Sequence, residues 1–92
     1  MLLIIYVLIV SRQQKAIDRL LLKPSDFDWR ELKTLMESFD YELKQSGGSS
    51  RKFIHRETKA IFMIHEPHPS KVLKSYQVSA VIHFLKQEKH VK

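Results

Sequence analysis

The chain has 92 residues, no cysteine and a formal net charge of +6. That length makes one domain with a small core, so a large enclosed active site is excluded and any chemistry belongs on the surface or in a shallow cleft. The missing cysteines exclude disulfides and thiolate metal sites and fit a reducing cytoplasm, while the basic excess suits a polyanion such as RNA or DNA as partner.

The chain opens on ten apolar residues, MLLIIYVLIV. A membrane-spanning helix needs about 20. A signal peptide needs a basic start and a small-residue cleavage site, and neither is visible. No membrane role is expected. The stretch reads either as a β-rich segment that packs on the domain or a partner, or as an over-extended start. RQQKAIDRLLLKP then reads as a short helix, because Ala16, Ile17, Leu20 and Leu21 recur at helical spacing and Pro24 stops it. Residues 1–24 hold Arg12, Lys15, Arg19 and Lys23 against Asp18, a net charge of +3. KPSDFDW marks a boundary, which divides the chain into an N-terminal segment, 1–24, and a domain, 25–92.

DWRELKTLMESFD predicts a strongly amphipathic helix. Trp29, Leu32, Leu35, Met36 and Phe39 share one face, and Asp28 or Asp26 offers an N-cap. YELKQ alternates and predicts a half-buried strand. GGSS, with the only two glycines of the chain, predicts a turn. RKFIHR predicts a second strand, which leaves His55 on the surface. AIFMIH predicts a third strand, apolar on both faces and therefore central or covered. EPHPSKVLKS reads as a loop with two prolines. SYQVSAVIHFLKQEKH predicts the closing helix, capped by Ser75, with Tyr76, Val78, Val81, Ile82, Phe84 and Leu85 as its apolar set. Helix, three antiparallel strands, helix predicts a two-layer α+β domain of α-β-β-β-α order, as in double-stranded-RNA-binding domains.

Several of these stretches, taken together, resemble the HicA family of bacterial toxins. WRELKTLMESFDYEL corresponds to the first helix and its junction with a strand. GGSSRKF occupies the glycine-serine turn. IHEPHPSKVLKSYQVSAVIHFL corresponds to the histidine-proline loop and final helix, and is the most specific part. The resemblance covers roughly the last 65 residues. It implies a double-stranded-RNA-binding-like fold and a metal-independent ribonuclease that cleaves messenger RNA in the cytoplasm. It also implies an antitoxin, HicB, that covers the active surface. No metal or other cofactor is expected.

The resemblance further implies a catalytic histidine directly after the glycine-serine pair. Here Gly48 and Ser49 are followed by Ser50, with Arg51 next. RNA cleavage by its own 2′-OH needs a base, and a serine hydroxyl is not one without a neighbour. A substitute could come from His55, His65 or His68 if the fold brings one near the turn. His68, between two prolines, leads, so Ser50 and His68 are the candidate catalytic residues. Gly48, Ser49, Arg51, Lys52, Arg56, Lys71 and Lys74 are the candidate RNA-binding set. Arg51 can grip a phosphate with two donors, and Lys71 and Lys74 precede a helix N-terminus. A non-catalytic module that binds RNA or a protein is the rival reading.

Overall fold

The computed structural model describes residues 2–92, without the side chains of residues 2 and 6–10. Its elements are α1 (Leu2–Leu21), α2 (Trp29–Ser38), β1 (Tyr41–Gln45), β2 (Ser50–His55), β3 (Ile61–His65) and α3 (Ser75–Gln87). The strands form an antiparallel meander in the order β1-β2-β3. Helices α2 and α3 cover one face of this open sheet, so the domain is α+β with the expected α-β-β-β-α order.

The N-terminal apolar stretch is helical, which corrects the expectation of a β-rich segment. It continues without a break into the expected short helix to make one 20-residue α1. Its isoleucines and valines favour strands only weakly, and a lone strand leaves its backbone unpaired. A helix pairs its own backbone, and extending one already started by QQKAIDRLL adds a hydrogen bond per residue. The helix ends before Pro24, with Lys23 in the left-handed region at φ 53° and its N–H donated to Leu20 O.

Helix α1 is tied to the rest of the chain at several points. Ile17 and Leu20 lie in the same core as Trp29, Leu32, Leu35, Phe53, Val81 and Leu85. Arg19 donates from Nε to Glu31 Oε2 at 2.7 Å and from Nη2 to Asp26 Oδ1 at 3.0 Å. Gln13 Nε2 donates to Ser38 Oγ at 3.0 Å. At the start of α2, Asp28 Oδ1 accepts the Glu31 N–H at 2.8 Å while Glu31 Oε1 accepts the Asp28 N–H at 3.4 Å, a reciprocal capping box.

Three further expectations are corrected. Strand β3 lies at the sheet edge. It alternates, with Phe62 and Ile64 buried and Ile61 and Met63 51% and 58% exposed. In a three-strand meander the middle strand in sequence is also the middle in space, so the polar β2 is central. At α3 the N-cap position belongs to Lys74 instead of Ser75, its N–H satisfied by Gln77 Oε1 at 3.0 Å. Tyr76 faces solvent.

Candidate nucleic-acid interface

The turn after β1 is built for a sharp reversal. Gly47 and Gly48 take φ of 106° and 53°, conformations that side chains disfavour. Ser50 N–H donates to Gly47 O, and Ser46 N–H donates to Ser50 O. The Ser50 hydroxyl accepts from Ser46 Oγ at 3.0 Å, so it is engaged within the turn.

From this turn β2 sends its side chains alternately to two faces. Arg51, Phe53 and His55 lie on the helix side, whereas Ser50, Lys52 and Ile54 lie on the open side. Register with β3 sets Ser50 opposite His65 and Lys52 opposite Met63.

At the end of the sheet, Arg51 donates from Nη1 to Gly48 O at 2.8 Å and to Ser50 O at 3.0 Å, fastening the turn. Its Nε donates to Glu66 Oε1 at 3.1 Å, and Lys71 Nζ donates to Glu66 Oε2 at 2.9 Å. The hydrogen bond from Lys71, and then the charges of Lys71 and Arg51, hold the Glu66 carboxyl below the usual carboxylate range. Glu66 is therefore an ionised bridge and a poor proton acceptor. Gly48, Ser49, Arg51, Glu66, His68 and Lys71 line one cleft of about 220 Å³.

The loop after β3 is held from both sides. Ser49 O accepts the Glu66 N–H at 2.8 Å, Lys71 O accepts the Trp29 N–H, and Leu73 N–H donates to Phe27 O. Gln77, a buried polar residue, donates from Nε2 to His65 O at 2.9 Å. His65 itself is exposed, and its Nδ1 meets Ser49 Oγ at 3.1 Å.

A search against family models matches residues 29–88 to the HicA toxin of bacterial toxin-antitoxin. The chain belongs to the HicA toxin family. No curated protein and no solved structure gives a significant match. The matched segment begins at the first residue of α2 and ends just beyond α3, leaving α1 outside it. Membership makes this HicA chain a toxin of the toxin–antitoxin kind, for which an antitoxin partner is implied. Among the described residues, no helix is long and apolar enough to cross a membrane.

The residues expected at the HicA site divide into groups. Gly48, Ser49, Arg51, His68 and Lys71 come together at the cleft. Ser50 and Lys52 lie next to it on the open sheet face. Lys74 stands at the start of α3. Arg56 follows the far end of β2, five residues and so roughly 17 Å from Arg51, with Asp40 Oδ1 at 3.9 Å.

His55 is a correction, being 8% exposed behind the sheet where a surface histidine was expected. Its Nδ1 accepts the N–H groups of Glu57 and Thr58 at 3.1 and 3.2 Å. Its ring stacks on His90, which meets Tyr41 Oη at 2.9 Å, so both histidines serve packing. Sequence reasoning missed the bridging role of Glu66 and the bracing role of Gln77. Glu66 meets Arg51 across 15 positions, and no local signal reveals such a partnership.

Proposed function

We propose that this HicA-family toxin binds messenger RNA across the glycine turn, the Arg51–Lys71 cleft and the Lys52 side of the open sheet, and cleaves it without a metal ion. The observation that carries this reading is the pair of cations, Arg51 and Lys71, fixed by Glu66 beside a turn that also touches an imidazole. The cations suit the phosphate, and histidine can exchange the 2′-OH proton near neutral pH. A backbone-directed grip of this kind reads shape more than sequence. The toxin acts in the cytoplasm, and a HicB-like antitoxin silences it by covering this surface.

The test incubates purified protein with single-stranded messenger RNA in EDTA and follows both binding and cleavage. Affinity should fall with salt at about 0.7 in log K per log salt for each phosphate neutralised. Fragments should appear despite the chelator. Absence of salt-dependent binding would remove the RNA reading altogether. A second reading, an RNA-binding module without catalysis, is favoured by Ser50, which stands where the HicA resemblance places a histidine and whose hydroxyl accepts from Ser46 within the turn. Binding without fragments would select it.

A further inference from the structure

We propose that His65, on β3, is the catalytic base of this toxin. This rests on the ribonuclease reading above.

The five histidines of the chain are held in different ways. His55 is buried, with Nδ1 committed to two backbone N–H groups at the far end of the hairpin. His90 is bound to Tyr41 and stacked on Phe39. His83 lies on the exposed side of α3, with no hydrogen bond from its ring among the described residues. His68 lines the cleft, but its ring makes no hydrogen bond among the described residues. His65 is exposed, and its ring is oriented by Ser49 in the turn.

The backbone beneath His65 is also fixed. It sits in the β2–β3 ladder opposite Ser50, and its carbonyl is held by Gln77 from the first turn of α3. A reactive group on a braced strand keeps its geometry better than one on a loop. Cross-strand partners on one face stand about 5 Å apart at Cβ, so the imidazole overhangs the turn at Ser50. Lys52 is its diagonal neighbour on that face, within reach of the same phosphate.

The contact with Ser49 accommodates the tautomer that a base needs, since the hydroxyl can accept from Nδ1–H. When Nδ1–H donates to Ser49 Oγ, the lone pair of Nε2 faces solvent. Ser49 therefore positions the base. Nε2 takes the proton of an RNA 2′-OH, the 2′-oxygen bonds to the adjacent phosphorus, and the bond from phosphorus to the 5′-oxygen breaks. The leaving oxygen takes a proton from water, and the hydroxide so formed recovers the proton from His65. The products are a 2′,3′-cyclic phosphate and a 5′-hydroxyl, with no outside oxidant, reductant or metal.

The full chain and its His65→Ala, His68→Ala, Ser49→Ala and His83→Ala variants would be compared on end-labelled single-stranded RNA in EDTA. Affinity would be read separately by fluorescence anisotropy, and folding by Trp29 emission. The expected result is a loss of about 10²–10⁴-fold in kcat for His65→Ala with RNA affinity kept within about twofold. Added imidazole should restore part of that loss, Ser49→Ala should lose less, and His83→Ala should match the parent. Cleavage by His65→Ala within threefold of the parent overturns the inference, as does loss confined to His68→Ala. Binding without cleavage by the parent overturns it while leaving RNA recognition standing. Absence of RNA binding by the parent overturns both.

Discussion

Leu20→Ala measures whether α1 belongs to the domain. Leu20 is fully buried, nine residues before the start of the family-matched segment, and shares its core with Leu32, Leu35 and Leu85. Truncation removes a leucine's worth of apolar contact and leaves a cavity that neighbouring helices only partly close. The expected cost is about 3 kcal/mol, within the roughly 2–5 kcal/mol seen for buried leucines. A chain of this size has roughly 5–14 kcal/mol of stability in total, so the loss is large. With a urea slope of about 1–1.5 kcal/mol per M, the unfolding midpoint should fall by about 2–3 M. Trp29 is the sole tryptophan, buried against Phe53, and reports the transition directly. Leu22→Ala, at a residue 82% exposed, is the control and should stay within about 0.5 kcal/mol of the parent. A Leu20→Ala midpoint shift no larger than that of the control would refute the shared core and reduce α1 to an appendage.

Asp28→Ala breaks the capping box of α2 and should cost about 1 kcal/mol by urea titration. Glu66→Gln frees Lys71 and takes the Arg51–Glu66–Lys71 group from a formal +1 to +2. Its RNA affinity should rise at low salt, and its salt slope should steepen by about 0.7, read by anisotropy. His90 is held below the usual histidine range by burial and by the nearby His55 ring, with Glu88 opposing. The unfolded chain therefore takes up a proton that folded His90 refuses, so stability is full above a pH of about 6.5 and falls as the pH drops below it. Urea midpoints between pH 7.5 and 5 should show this decline, and His90→Ala should flatten it.

The parts of the fold that were legible are those whose signal is local. Asp28 before Trp29, with Glu31 three residues on, announces a capped helix start. Tyr41 to Gln45 alternates cleanly, and the two adjacent glycines can only be a turn. Strand β3 was misjudged because Ile61 and Met63 are apolar yet exposed, and composition cannot say which strand of a meander has an uncovered edge. His55 was misjudged for a related reason. Strand alternation gives two faces, but which face meets the helices depends on Phe53, its neighbour on that side. At the candidate site, the turn, Arg51, Lys71 and His68 could be named from residue type and order. The imidazole nearest the turn could not be chosen, because His65 reaches Ser49 only through the β2–β3 register.

The sequence by itself determined the element order, the helix faces, the glycine turn and the basic surplus, since each depends on neighbours within a few positions. It also carried the family, through motifs that keep their order along the chain. Only the tertiary structure decided what α1 is for, which strand lies at the edge, and that Glu66 joins Arg51 to Lys71. It alone decided that His65, rather than His55, looks onto the turn. These outcomes depend on strand register and helix packing, which bring together residues separated by 15 or more positions. A pattern read along the chain contains no distance across it.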